Sequence, residues 1–215
     1  EGRSRYEASR LLKKTSLVGD YYNLTRTSPL LNPRRFGAPR ATKTLEGFLF
    51  PATYILREGG PMINLIRQQL ETFKDRIRTV DMRVAKKKNL TIYDILIIAS
   101  MVEKEAAIDK DRPLIAAVIY NRLKQGIPLY IDSTIRYADN NWARPLKPSE
   151  LKRPGPYNTR LNKGLPPTPI GSPGLASIVA AAHPSKVPYI YFVVRNFGCL
   201  DHAFSSTDAQ FQKDS

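Results

Sequence analysis

The chain has 215 residues, of which 42% are apolar and 25% are charged, and its formal net charge is +15 at pH 7. These are the values of an ordinary globular protein with room for one large domain or two small ones. The single cysteine, Cys199, excludes an internal disulfide, and with only two histidines a zinc site is not expected. No apolar run of about eighteen residues occurs, so the sequence predicts no membrane span.

The positive charge is uneven along the chain. Residues 1–90 contain 19 Lys and Arg against 8 Asp and Glu, a net charge of +11, whereas residues 91–215 have a net charge of +4. A basic surface indicates an anionic partner, such as phospholipid headgroups or an anionic cell-wall polymer. We find no nucleic-acid-binding motif and therefore expect no nucleic acid partner. A basic surface that serves only solubility is the alternative.

The first part of the chain predicts two helices joined by irregular segments. A short basic amphipathic helix is predicted over residues 3–14, and residues 25–45, rich in Pro, Arg, Thr and Ser, predict a long loop. The sequence LEGFLFPATYIL at 45–56 predicts a short extended segment that is broken at Pro51. Its aromatic residues belong either to the core or to one wall of a sugar-binding groove. A second amphipathic helix is predicted over 61–81.

Residues 89–107, NLTIYDILIIASMVEKEAA, predict the central helix of the molecule. Thr91 and Asp94 have the spacing of a capping box at its start. Nearly every residue from 95 to 102 is apolar, which is typical of a helix that is buried on all sides. We therefore expect this helix to lie in the core.

Two glutamates end this helix, and they point in different directions. Glu103 and Glu105 are two residues apart, which corresponds to about 200° on a helix, so both cannot face one cleft. Glu105 continues the apolar stripe of Val102 and Glu103 that of Ala99, so periodicity barely separates them. Acidic residues at a helix end are usually solvated. In a cleft, burial would instead raise the pKa of the carboxyl and suit it to general acid catalysis.

A third long helix is predicted after the central one. It begins near Pro113 and stops at Gly126. Asn121 and Arg122 near its end form either a polar helix end or a support for a glutamate of the central helix. Residues 128–137 then alternate in the manner of a short strand.

Residues 144–188 contain ten of the seventeen prolines in the chain. This content excludes a regular helix or sheet over most of the range. An ordered loop of such length is usually functional, and we expect it to form one wall of a cleft. Within it, a short helix is predicted over residues 175–182. Its start is predicted at Ser172, which would place Pro173 at the first helical position.

The chain is predicted to end in two short strands. Residues 189–194 are typical of a buried strand, and residues 197–204 predict the turn into a last strand, on which His202 lies.

Eight motifs occur in the order and at the spacing of one known family: LEGFLFPATY at 45–54, ASMVEKEAA at 99–107, NRL at 121–123, LYIDSTIRY at 129–137, YNTRLNKGLPPTPIGSPG at 157–174, AAAHPS at 180–185, YIYFV at 189–193 and His-x-Phe at 202–204. Together they resemble the endolytic murein transglycosylases, the YceG-like family, over about residues 45–208. The ordered set is far more specific than any one motif.

The resemblance implies an enzyme that cuts peptidoglycan glycan strands internally, between N-acetylmuramic acid and N-acetylglucosamine, and leaves a 1,6-anhydro-muramyl end. The family's catalytic residue is the second glutamate of the Glu-x-Glu motif, which falls on Glu105. This one residue would protonate the glycosidic oxygen and then take the proton of the substrate's C6 hydroxyl. The resemblance implies no metal or other cofactor, and a role in limiting or ending glycan strand elongation.

Six further residues are candidates for supporting the substrate or the reacting groups. Asn158 and Asp132 are the first candidates, to orient the sugar or to stabilise positive charge on it. Each of the others would equally suit a structural hydrogen bond; they are Glu46, Asn121, Tyr157 and His202. The chain departs from the family pattern at Arg160, where an aromatic residue is common, and in the spacing between glycine and His202.

The predicted fold is one α+β catalytic domain, with a buried catalytic helix, short strands and a long proline-rich loop lining a cleft. It is predicted over residues 45–215, with residues 1–44 a basic helix and loop region that leads into it. Full-length members of the family also carry an N-terminal membrane helix and a LysM-like module, and we expect this chain to be the catalytic domain without them. The predicted location is the extracytoplasmic face of the bacterial cytoplasmic membrane.

Other functions remain open. A hydrolytic muramidase would use Asp132 as its second carboxylate, and a wall-binding module would bind peptidoglycan without cutting it. The predicted partners are peptidoglycan glycan strands, peptidoglycan synthases (penicillin-binding proteins) and an anionic membrane or wall surface.

Overall fold

The computed structural model describes residues 1–195 and 200–214, which form an α+β domain of many helices and one small sheet. The α-helices are α1 Arg5–Leu12, α2 Tyr21–Arg26, α3 Met62–Arg78, α4 Arg83–Lys87, α5 Ile92–Glu105, α6 Arg112–Gln125, α7 Asp132–Ala138, α8 Pro148–Leu151, α9 Leu175–Ala182 and α10 Asp208–Asp214. The strands are β1 Tyr191–Val194 and β2 His202–Ser205, and 3₁₀ turns occur at Pro33–Phe36 and Asp109–Asp111.

Helix α5 lies at the centre of the core, as its sequence predicts. Thr91 and Asp94 form the predicted capping box: the Thr91 hydroxyl accepts from the Asp94 amide, and the Asp94 carboxylate accepts from the Thr91 amide at 2.8 Å. Every residue from 95 to 102 is buried. Helices α6 and α9 pack against it. The predicted helices at α1, α3 and α6 are confirmed as well, and α6 ends at Gly126.

The aromatic segment at 45–56 forms irregular loop structure rather than a strand, and its first half, residues 45–50, is buried in the core. The ring of Phe48 is fully buried and lies 5.2 Å from that of Phe73 and 6.0 Å from that of Tyr93. At Gly47, where φ is +85°, an added Cβ would come within 2.7 Å of Pro169, so only glycine fits this close approach. Of the two predicted roles, packing in the core is therefore the one found.

The predicted strand at 128–137 is wrong. Residues 127–131 are irregular, and α7 begins at Asp132. The segment is held by Thr159, whose backbone oxygen accepts from the Tyr130 amide and whose hydroxyl accepts from the Ile131 amide, both at 3.0 Å. The alternating pattern of the sequence also fits an extended lead-in followed by one buried turn of helix, and that is the form adopted.

Helix α9 begins at Leu175 and not at Ser172. Ser172 is instead engaged with the start of the chain: its amide donates to the Arg3 oxygen at 3.0 Å, and its oxygen accepts from the Gly2 amide at 2.9 Å. Both backbone groups of Ser172 are thus used in contacts with the start of the chain rather than in a helix.

The two predicted strands pair antiparallel, with Tyr191 opposite Ser205 and Val194 opposite His202. The prediction that β1 is buried is wrong, since its residues are half-buried or exposed. An antiparallel sheet can pack on the core with one face while the other face contacts solvent, and the residues of β1 are accordingly only partly buried. Part of the predicted turn at 197–204, with Cys199, lies outside the described residues.

The proline-rich range 144–188 is mostly irregular, as predicted, and part of it packs on α5. The Ile170 amide donates to the buried Ser100 hydroxyl at 3.0 Å, and the Tyr93 hydroxyl donates to the Pro167 oxygen at 3.4 Å. The contacts of Gly2 with Ser172 cross the predicted boundary between residues 1–44 and 45–215, and that boundary stays a prediction. In the described part of the chain, no helix is long and apolar enough to cross a membrane.

Candidate active site

A cleft of about 830 Å³ opens at the carboxyl end of α5. Its walls come from α5, α6, the segment before α7, and the sheet with α10. The polar and aromatic side chains that matter for its chemistry are Glu105, Arg122, Tyr130, Asp132, Arg160 and His202. The cleft therefore brings together three of the residues predicted from sequence, namely Glu105, Asp132 and His202.

Glu105 is the last residue of α5 and is half-buried in the cleft. Burial raises the pKa of its carboxyl above the usual value. The neighbouring hydroxyl of Ser133 opposes this rise, the negative charge of Asp132 adds to it, and His202 opposes it. A carboxyl group that keeps its proton at higher pH than usual is suited to act as a general acid near neutral pH.

Glu103 has a different environment, although it is only two residues away. Its carboxylate accepts from the Gly174 amide at 3.0 Å, and it lies 3.5 Å from a guanidinium nitrogen of Arg112. Its side chain is only 7% exposed. Glu103 thus joins the end of α5 to the starts of α9 and α6, and its acceptor oxygens are used in the fold. The structure thus gives the two glutamates different surroundings, a difference that helical periodicity alone does not predict.

Asp132 lies at the start of α7 and is paired with Arg160. The guanidinium donates two hydrogen bonds to the carboxylate, at 2.6 and 3.0 Å. Bidentate pairs of this kind fix the geometry of both side chains. The arginine at the position where the family pattern commonly has an aromatic residue therefore supplies the cation that pairs with Asp132.

Tyr130 forms part of the cleft wall in an unusual backbone conformation. Its φ is +57°, in the left-handed region that bulky residues rarely adopt, and its side chain is 53% exposed. The guanidinium groups of Arg122 and Arg160 lie 5.6 and 5.4 Å from the centre of its ring. Arg122 is buried and donates to the backbone oxygens of Ile190 and Pro128. Two cations thus hold an exposed aromatic ring at the cleft.

Two residues next to predicted site residues, Ser133 beside Asp132 and Asp111 in contact with His202, were not predicted from the sequence. Ser133 is 5% exposed, and its hydroxyl lies close enough to Glu105 to lower the pKa of that carboxyl. Asp111 is 2% exposed, and its Oδ2 accepts from both the backbone amide of His202, at 2.8 Å, and the ring Nδ1, at 2.9 Å. The adjacency of Ser133 to Asp132 was the only sequence signal for the first, and none was available for the second.

Three predicted supporting residues hold loops instead of lining the cleft. Asn158 is 4% exposed; its amide donates to the oxygens of Leu151 and Arg153, and its Oδ1 accepts from the Arg160 amide. Asn121 donates to the oxygens of Val187 and Tyr189, both at 2.8 Å. Tyr157 shares a hydrogen bond with Thr168. Asn158 shapes the turn that places Arg160, and direct contact of these three with substrate stays a prediction.

Glu46, the remaining candidate, lies in the interior at 2% exposure. Its carboxyl accepts from the Arg5 amide at 3.1 and 3.2 Å and from the Tyr137 hydroxyl at 3.1 Å. Burial raises its pKa to about 7, against the opposing charge of Arg5. We call these three residues the Glu46 clamp, because they join α1 to α7. Glu46 is not among the residues that line the cleft, and its contacts are those of the structural hydrogen bond given as its alternative role; contact with substrate stays a prediction.

Within residues 1–195 and 200–214, no group of three or more His, Cys, Asp or Glu is arranged to hold a metal ion. The side chains that line the cleft include one carboxyl with a raised pKa, a second carboxyl group, one histidine and two arginines.

Comparison with known proteins gives related sequences and a related structure. A profile described as the YceG-like family matches residues 1–215. The endolytic murein transglycosylase of Bacillus subtilis is 37% identical over 155 residues, which cover 72% of this chain and 43% of that protein. The protein of the same name from Streptococcus pneumoniae is 39% identical over 154 residues, covering 69% of this chain and 28% of that protein.

The crystal structure of a YceG-like protein from Listeria monocytogenes superposes with a TM-score of 0.84 at 28% identity, over 99% of this chain and 73% of that one. The chain spans less than half the length of the two transglycosylases that it matches, 43% and 28% respectively.

Proposed function

The chain belongs to the YceG-like family, and from this premise we propose that it is the catalytic part of a lytic transglycosylase that cuts peptidoglycan glycan strands internally. The names of its relatives support this reaction class. The observation that carries the proposal is the environment of Glu105: of the two glutamates that end α5, it is the one in the cleft, and its pKa is raised.

Glu105 acts first as an acid and then as a base. Its protonated carboxyl donates to the oxygen that joins N-acetylmuramic acid to N-acetylglucosamine, and the glycosidic bond breaks with that oxygen leaving as the C4 hydroxyl. The C6 oxygen of the same muramic acid then bonds to C1, and the Glu105 carboxylate takes the C6 hydroxyl proton. The carboxyl is thereby restored, and no water is consumed. Because the nucleophile is part of the substrate, its effective concentration is high.

Asp132 stabilises the positive charge that develops on the sugar ring. Arg160 pairs with Asp132 through two hydrogen bonds, and the charge of Asp132 raises the pKa of Glu105. Glu105 is therefore the proposed acid, and Asp132 has the separate role of stabilising charge on the sugar.

A hydrolytic muramidase is the second candidate, since two carboxyl groups lining one cleft are also the arrangement that glycoside hydrolysis uses. Asp132 would then activate a water molecule or form a covalent intermediate. The two reactions give different products: 1,6-anhydro ends from the transglycosylase and reducing ends from the hydrolase.

Mass spectrometry of peptidoglycan treated with the chain tests these proposals. We expect anhydro-muramyl ends from the parent and from Glu103→Gln, which is the matched control on the same helix end, and none from Glu105→Gln. Thermal unfolding of each variant establishes that it is folded. Reducing ends would identify a hydrolase. Binding to glycan strands without cleavage by any of the three proteins would identify a wall-binding module.

We further propose that the basic first ninety residues hold the domain near an anionic surface at the extracytoplasmic face of the membrane, beside peptidoglycan synthases, where cleavage limits strand elongation. Lys86, Lys87 and Lys88 are exposed, and none has an acidic partner in the part of the chain that the structure describes. We expect binding to vesicles with anionic lipids that weakens as salt is raised and on replacing these lysines with glutamine. Equal binding to neutral vesicles would contradict the proposal.

A further inference from the structure

The cleft contains a histidine whose orientation is determined by a buried carboxylate on another element. Asp111 lies in the 3₁₀ turn before α6, and His202 is the first residue of β2. The two are 91 positions apart in sequence, yet Asp111 Oδ2 accepts both the backbone amide and the ring Nδ1 of His202. The side chains are 2% and 4% exposed. One carboxylate oxygen thus holds both the backbone and the ring of the same residue.

This contact determines which ring nitrogen faces the cleft. A carboxylate can only accept, so Nδ1 of His202 carries a hydrogen and Nε2 is left as the acceptor of the neutral ring. Phe192 and Phe204 pack against the imidazole, with ring centres 5.5 and 6.1 Å from its centre. Rotation of the ring would break the hydrogen bond to Asp111 and disturb this packing.

Nε2 makes no hydrogen bond within residues 1–195 and 200–214. His202 lines the cleft together with Glu105. An acceptor that is unused within the described residues, on a side chain that lines the cleft, is placed to receive a donor from a bound molecule.

We propose that Asp111 is a positioning residue for the reaction at Glu105: it holds His202 so that Nε2 accepts a hydrogen bond from a sugar hydroxyl bound next to the Glu105 carboxyl. This inference rests on the proposed function, since it takes a glycan as the bound molecule. His202 contacts the substrate, and Asp111 acts only through His202.

The test combines kinetics with a mutant cycle. Asp111→Asn keeps the size of the side chain but supplies an amide that can also present a donor to Nδ1. We expect kcat to fall about 10- to 100-fold, as for other misplaced catalytic groups, with a much smaller change in KM. The matched control is Asp109→Asn, two residues away in the same turn, where the side chain is 89% exposed. That variant is expected to retain the parent's kcat.

A purely structural role for Asp111 is separated by the double variant. If Asp111 acts through His202, Asp111→Asn has no further effect on kcat in a His202→Ala chain, although any loss of stability persists. Additive losses of kcat in the double variant would overturn the proposal, and so would an Asp111→Asn chain with the parent's kcat.

The ring tautomer gives a readout that does not depend on catalysis. The chain has only two histidines, His183 and His202, so ¹⁵N NMR of the ring nitrogens can be assigned with a His183→Gln variant. We expect the neutral ring of His202 to be protonated at Nδ1 in the parent and to lose that preference in Asp111→Asn. A ring protonated at Nε2 in the parent would overturn the inference even if the chain cuts peptidoglycan. Absence of cleavage together with the expected tautomer would count against the proposed function alone.

Discussion

The Glu46 clamp and the cleft at Glu105 each contain a carboxyl group whose pKa is raised by burial, but the two groups face different surroundings. At Glu46 the acceptor oxygens are used by the Arg5 amide and the Tyr137 hydroxyl, and the side chain is closed off from solvent. At Glu105 the carboxyl faces a cleft of about 830 Å³. A raised pKa therefore marks burial in both places, and only the space beside Glu105 makes it available for chemistry.

The largest expected difference between the two sites is in activity. Glu105→Gln removes the only proton donor of the proposed mechanism, so we expect kcat to fall by about 10² to 10⁴-fold. Glu46→Gln keeps an acceptor for the Arg5 amide and lies outside the cleft. Because Glu46 is not a proton donor in the proposed mechanism, we expect kcat within about threefold of the parent. Rates of release of new strand ends from both variants make the comparison. Equal losses in the two would show that the clamp takes part in the reaction.

The second difference is in the pH dependence of stability. Because the pKa of Glu46 is raised from 4.5 to about 7 in the folded chain, the folded state keeps a proton that the unfolded state releases. This contribution to the free energy of unfolding is complete below about pH 4.5 and is lost as the pH rises through about 7, by on the order of 3 kcal/mol. Urea unfolding of the parent should show this decline, and Glu46→Gln should lack it. Parallel curves for the two proteins would contradict the assignment.

The third prediction concerns Glu103, which is buried like Glu46 but lies on the same helix end as Glu105. Glu103→Gln keeps an acceptor for the Gly174 amide and loses the charge beside Arg112. We expect the free energy of unfolding to fall by about 1.5–3 kcal/mol, the range for hydrogen bonds to charged groups, with little change in kcat. Urea unfolding together with rate measurements tests both parts. A large loss of kcat in a fully folded variant would reverse the roles assigned to the two glutamates.

The smallest expected effect is a shift in the pH profile of activity. Glu105 must be protonated to act, so activity falls as the pH rises through its pKa. Ser133 lowers this pKa and Asp132 raises it. Ser133→Ala should therefore move the fall to higher pH, and Asp132→Asn should move it to lower pH. Profiles of kcat against pH for the two variants give the sign in each case, and a common direction would show that neither residue acts on Glu105 directly.

The elements that could be predicted from the sequence are those with local signals. Helix α5 is determined by the capping box at Thr91 and the apolar run at residues 95–102, and the end of α6 is determined by Gly126. These signals act between residues that are close in sequence. The prediction failed where two structures share one pattern, as in the segment before Asp132, and where a distant partner decides the outcome, as at Ser172. Both errors arise because alternation and helix-start signals describe only neighbours in the chain.

The candidate site residues also divide into those with a signal in the sequence and those whose role depends on a distant partner. Glu105 was identified through the family resemblance, and its periodicity alone did not distinguish it from Glu103. Asn158 belongs to one of the family motifs, but its side chain makes hydrogen bonds that shape the turn before Arg160. Asp111 and His202 are 91 residues apart in sequence, and no sequence pattern around either residue predicts that they are in contact. Pairings of this kind depend on the complete fold and become visible only in three dimensions.

Helix α7 connects the two carboxyl sites compared above. Its seven residues begin with Asp132, in the cleft, and include Tyr137, which donates to Glu46 in the clamp. Asp132 and Tyr137 lie on one seven-residue helix, so the backbone that places Asp132 in the cleft is also anchored to α1 through Glu46. The N-terminal segment thus contributes to the position of a charge in the cleft without lining the cleft itself.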